Sequence, residues 1–198
     1  ASERQKCESR VWEMANTNPM VKLMIAALDS AGCGIQLDRH VVCERCDRTV
    51  TGGYDIQTNQ IVVCQNMCTN SGLVAGVLTH EMIHMFDYCR HKLDFENIQH
   101  LACTEIRAAN LTHCSFMSAM SQGDSSPIRI SERHQDCVRT KAAYSVEAVR
   151  HVGIDEARRI VESVFPQCYA DMEPIGRRVR RNSLDAVLAF KERHHYGY

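Results

Sequence analysis

The sequence predicts an α+β fold that is mainly helical, with one small antiparallel β-hairpin set before a long buried helix. Three observations predict it. Apolar residues recur at helical spacing over most of the chain, alternation is confined to residues 48–64, and Gly, Pro and Asn mark the boundaries. With 198 residues, no repeats and no low-complexity linker, 1–198 reads as a single domain with a core at about 20–176. A hydrophobic content of 44% with 24% charged residues excludes a disordered chain, a collagen and a pure coiled coil.

The first third is helical and then extended. Asn18-Pro19 starts a helix with proline at its first position, Met20, Leu23, Met24, Ala27 and Leu28 follow at helical spacing, and Gly32 and Gly34 stop it. Residues 48–57 and 60–64 form the hairpin around a Thr58-Asn59 turn, and Gly52-Gly53 marks a bulge or a close approach. Its Ile61–Val63 stretch could accept a substrate strand by β-augmentation or, equally, be a plain core strand. Residues 71–91 are apolar almost all round and read as one buried helix, with a second at 97–120. A loop is expected at 121–127 and a helix over 129–152 that Gly153 ends as a left-handed cap. The last expected helix opens at Asp155 and is ended by Pro166.

Net charge is −1, so nothing attracts the chain as a whole to polyanions, and no nucleic-acid partner is expected. From Pro174 onward, however, Arg177, Arg178, Arg180, Arg181, Lys191 and Arg193 oppose only Asp185 and Glu192, a local +4 against −5 elsewhere. This tail could touch anionic lipid. The longest apolar run is Leu73–Leu78, far short of the roughly 18 residues that span a bilayer. Residues Ala1–Arg10 are polar and carry no apolar signal-peptide core.

Eleven cysteines are too many for ordinary core use and imply disulfides or bound metal. The number is odd, so complete pairing within the chain is impossible. Cys43-x-x-Cys46 and Cys64-x-x-x-Cys68 could form a four-thiolate zinc ribbon around the hairpin, although the other seven lack ribbon spacing.

The sharpest motif is His80-Glu81-Met82-Ile83-His84. On a helix His80 and His84 are i and i+4, so both imidazoles leave one face and can grip one zinc ion. Glu81 lies one residue round, where it can take a proton from a water at the metal's open position and act as the catalytic base. Shuffling a chain of this composition yields the motif roughly 0.03 times. Without metal, two imidazoles and a carboxylate buried together would be costly. A catalytic zinc takes a third protein ligand. Glu105 suits it, because Ala108 and Ala109 at i+3 and i+4 let helices approach closely. His100 is the rival, His113 a more distant one, and a salt bridge to Arg107 or Arg90 is the plain alternative for Glu105. Oxyanion stabilisation could fall to His134, Tyr144 or His113, and nothing in the sequence selects among them.

Residues 79–87, residues 100–111, Cys43–Cys46, residues 61–66 and Cys137-Val138-Arg139 together resemble the mitochondrial inner-membrane metalloproteases that process an ATP synthase subunit. The resemblance covers roughly Cys33 to Gly176. It implies a zincin-like metalloprotease of the intermembrane space, peripheral to the inner membrane. It further implies cleavage of the precursor of an ATP synthase membrane subunit, and help in assembling that membrane sector. The family motif carries over to His80, Glu81 and His84. Such a compartment permits disulfides, which favours disulfides over a structural zinc. Cys7 and Cys68 stand outside the family's cysteine pattern. Two other readings stay open: an assembly chaperone with dispensable protease activity, and a protease of DNA–protein crosslinks, which would also join this motif to ribbon cysteines.

Overall fold

The computed structural model describes residues 1–114, 127–180 and 183–198. The expected loop at 121–127 and the end of the helix expected over 97–120 therefore lie mostly outside the described residues. The described chain forms two compact units, residues 1–91 with 187–198, and residues 92–186.

The first unit opens with a helix that the sequence reading did not single out, α1 (Glu3–Thr17). Ser2 and Gln5 close a capping box at its start, satisfying two N–H groups that the helix itself leaves open. Only Cys7, Val11, Met14 and Ala15 are buried, so a narrow stripe at helical spacing fixes an otherwise polar segment. Asn18 caps α2 (Pro19–Ser30), its Oδ1 accepting from the N–H groups of Met20 and Val21 at 3.0 and 3.2 Å. The short helix α3 (Leu37–His40) leads into β1 (Val41–Glu44). The hairpin strands are β2 (Gly52–Asp55) and β3 (Gln60–Cys64).

The sheet is mixed, where the sequence predicts an antiparallel one. β2 pairs antiparallel with β3, as expected, but β1 pairs parallel with β3 in the order β1-β3-β2. Parallel partners need no local turn, so residue spacing does not reveal them. The order also corrects the strand-addition reading, since Ile61–Val63 lies in the central strand, paired on both sides. Gly52 is a close approach: a Cβ there would stand 2.6 Å from the Val62 carbonyl and 2.5 Å from Val77 Cγ1. Helix α4 runs over Ser71–His91, the span read from the sequence. It packs on α1, α2, β2 and β3. Val21, Leu23, Met24, Leu28, Ile61, Leu78, Met82, Ile83 and Phe86 are buried at the centre of this unit.

The second unit is built on three mutually packed helices, α5 (Ile98–Ala108), α6 (Pro127–Arg150) and α7 (Ile154–Ala170). A π-helical turn, Ala109–His113, continues α5. Two expectations change here. Gly153 does have a positive φ, 84°, but it is the N-cap of α7, and the left-handed residue after α6 is His151 at φ 52°. Pro166 does not end α7, which continues to Ala170. The last turn is held from outside the helix: Phe165, Cys168 and Tyr169 are buried in the helical core, and Cys168 is bonded to Cys103 on α5. Tertiary contact outweighs the hydrogen bond that proline removes.

Buried Arg107 anchors the segment after α7. Its guanidinium meets Asp171 Oδ1 at 2.6 Å and donates to the carbonyls of Asp171 and Glu173. Replacing it with methionine leaves those acceptors without their donor, so Arg107→Met should lower stability by about 1–3 kcal/mol in a urea titration. An unchanged midpoint would show that the anchor contributes nothing.

All eleven cysteines are described. Ten form Cys7–Cys43, Cys33–Cys89, Cys46–Cys64, Cys103–Cys168 and Cys114–Cys137, and Cys68 is a buried free thiol. The disulfide expectation holds. The ribbon alternative fails, because Cys43, Cys46 and Cys64 have no thiolate left to offer a metal.

Candidate active site

In the first unit the motif occupies two turns near the middle of α4. Leu78, Met82 and Met85 are buried in the core, which fixes the rotation of the helix and so the face from which His80 and His84 project. Their Nε2 atoms stand 3.1 Å apart, and the rings meet edge to face with centroids 4.8 Å apart. His84 and Glu81 are buried, 5% and 8% exposed, whereas His80 is partly open. Two imidazole nitrogens this close cannot both carry protons, so the pair is suited to sharing one proton or one cation. Thr79, just before the motif, turns its hydroxyl back to the Ala75 carbonyl at 2.8 Å, staying within the helix.

In the second unit Glu105 sits on α5, 7% exposed. Burial pushes its carboxyl up to about 7, only partly offset by a hydrogen bond from Ser145. A carboxylate ionised at that depth calls for a compensating charge. Arg107, one of the two partners considered for it, meets Asp171 Oδ1 at 2.6 Å. His100 differs from Glu105 in burial: it is exposed, and its Nδ1 accepts from the Asp94 N–H at 3.3 Å.

The oxyanion candidates separate on the same grounds. His134 is buried with both ring nitrogens engaged, Nδ1 with the Tyr169 hydroxyl at 2.8 Å and Nε2 with the Cys114 carbonyl at 2.6 Å. It is a structural histidine of the helical core. Tyr144 on α6 is 58% exposed, and His113 ends the π-helical turn on the surface.

A model of the peptidase M76 family matches residues 5–176. The chain belongs to this family. The M76 chain is accordingly a peptidase, and its relatives place it among proteases of the mitochondrial inner membrane. The mitochondrial inner membrane protease ATP23 homolog of Danio rerio is 43% identical over 191 residues, 96% of this chain and 74% of the relative. The homolog of Homo sapiens is 43% identical over 178 residues, 89% and 71% of the two chains. The mitochondrial inner membrane protease atp23 of Schizosaccharomyces pombe is 34% identical over 176 residues, 88% and 93%. No solved structure matches. Among the described residues of this M76 member, no helix is long and apolar enough to cross a membrane.

The sequence reading missed the Arg107 anchor and the π-helical turn. Neither had a local signal, because each depends on residues about 60 positions away or on a change of helical pitch.

Proposed function

We propose that the chain is a zinc endopeptidase of zincin-like fold, in which His80, His84 and Glu105 hold the metal and Glu81 is the catalytic base. The observation that carries the reading is the 3.1 Å separation of the two Nε2 atoms on α4. Nitrogens sharing one tetrahedral zinc at ordinary bond lengths stand about 3.3 Å apart. The donor set fits as well, two imidazoles and a carboxylate being a common catalytic zinc combination. A bound zinc would polarise the scissile carbonyl and acidify the attacking water. The chain's own residues do the rest. The Glu81 carboxylate, one residue round from His80, accepts the proton of that water and returns it to the leaving amine. The buried apolar face of α4 keeps the motif from rotating, so Glu81, His80 and His84 hold their relative positions.

The relatives' names support a site of action at the mitochondrial inner membrane, and the resemblance implies its intermembrane-space face with peripheral contact. The resemblance alone implies cleavage of the precursor of an ATP synthase membrane subunit, with assistance to assembly of that sector. Five disulfides fit that compartment. The crosslink-protease reading loses the ribbon cysteines that motivated it.

Metal analysis of the purified protein tests the centre. One zinc per chain is expected, lost on His80→Ala or His84→Ala. Glu105→Gln should weaken retention strongly, and His100→Ala much less. The reverse order would move the third ligand to His100, and zinc surviving both histidine variants would place the metal elsewhere.

A further inference from the structure

We propose that Gly76 is a specificity-determining position of the peptidase: the space left by its missing side chain receives a large apolar side chain of the substrate residue beside the scissile bond. The inference rests on the zinc site proposed on α4, and it names the class of side chain taken next to that site.

Gly76 lies in the interior of α4, where glycine is a poor choice. It loses more freedom on folding than alanine and weakens the helix. The fold itself does not ask for it. Its backbone is helical and lacks the positive φ of Gly153. Nor does packing require it: among the described residues, a Cβ at Gly76 would meet nothing within 4 Å beyond its own stretch of helix. Gly52 is the contrast, since a Cβ there would stand 2.5 Å from Val77 Cγ1 and the chain's own packing excludes a side chain. What glycine contributes at position 76 is room.

That room adjoins the motif. Gly76 stands four residues before His80, so the two are neighbours on one face of α4. Side chains on a helix lean toward its N-terminus, which carries the His80 ring toward the turn that holds Gly76. Leu73, three residues before Gly76 and on the same side, is 44% exposed. Between Leu73 and His80 only Gly76 is open, because Val74, Ala75, Val77, Leu78 and Thr79 are buried. The open strip therefore runs from an aliphatic side chain, over bare backbone, to a partly open imidazole. Its chemistry names the occupant. Residues 71–79 contain no charged side chain, so an ionised substrate residue would find no counter-ion along this stretch. An apolar side chain would cover Leu73 and the Gly76 backbone and leave no charge to satisfy. One helical turn, about 5.4 Å, separates Gly76 from His80, a span that the side chain of a residue adjoining the scissile bond covers.

The test is cleavage, by the zinc-loaded full chain, of a peptide library randomised on both sides of the scissile bond. It is followed by kcat/KM for matched peptides carrying Leu, Phe, Ala or Asp at the selected position. Leu and Phe should be preferred over Ala and Asp by at least about tenfold. Gly76→Ala should raise the melting temperature by about 2–4 °C, because alanine is the better helix former and meets no clash. The same variant should keep its zinc and lower the Leu-to-Ala preference at least about tenfold. Leu73→Ser, at an exposed position, should lower that preference several-fold by removing apolar contact and serves as the second variant. Combined with Glu81→Gln, both substitutions should weaken binding of the uncleaved Leu peptide in parallel, a readout that does not depend on turnover. Cleavage without an apolar preference, or a preference that both variants leave unchanged, would overturn this inference alone. A melting temperature lowered by Gly76→Ala would show that the chain itself fills the gap and would also overturn it. Failure of the zinc-loaded chain to cleave any peptide would overturn the peptidase reading of the site and this inference with it.

Discussion

Glu81→Gln should leave zinc bound and cut peptide-bond hydrolysis by about 10²–10⁴-fold, the contribution of a positioned general base. Glu81 is not one of the proposed ligands, so His80, His84 and Glu105 keep their places. The substitution preserves size and most hydrogen bonding, and the buried position among α4 contacts remains filled. What disappears is the basic oxygen that accepts the proton of the attacking water. The checks are cleavage of the membrane-subunit precursor and metal content in the same preparation. The variant should still bind that subunit and still assist assembly, which needs a surface and no proton transfer. Loss of both activities with zinc retained would tie assembly to the chemical step. Full activity in the variant would remove Glu81 from the mechanism and sink the catalytic reading of the motif.

The second large effect is on stability. Cys103–Cys168 closes a loop of 65 residues in the second unit, joining α5 to α7 just beyond Pro166. A crosslink of that span restricts the unfolded chain by about 4 kcal/mol. Cys103→Ala/Cys168→Ala should therefore lower stability by about 4 kcal/mol and the melting temperature by about 8–16 °C for a chain of this size. The comparison variant is Cys68→Ala, which removes a buried thiol but no crosslink and should cost no more than about 1 kcal/mol. Equal melting temperatures for the two variants would show that the Cys103–Cys168 bond does not constrain the fold.

Much of the helical architecture was legible because its signals are local. Asn18-Pro19 caps α2 through contacts two and three residues away, and the apolar residues of α4 declare the whole Ser71–His91 span. The motif histidines were legible for the same reason: i and i+4 on a helix meet whatever the remainder of the chain does, and their nitrogens stand 3.1 Å apart. The buried state of Glu105 was only suggested by its flanking alanines, since burial depends on what packs over α5.

By itself, then, the sequence determined elements whose hydrogen bonds close within four residues: the longer helices other than α1, the β2–β3 turn, and the paired imidazoles of α4. Only the tertiary structure decided the remainder. It placed β1 parallel to β3, which requires partners about 20 residues apart with no turn to announce them. It carried α7 through Pro166, because a disulfide and aromatic packing outweigh one lost backbone bond. It committed His134 to Tyr169 and the Cys114 carbonyl, and it sorted ten of eleven cysteines into pairs. Pairing a thiol or satisfying a buried imidazole takes a partner distant in sequence, and residue type and spacing carry no record of which partner folding brings near.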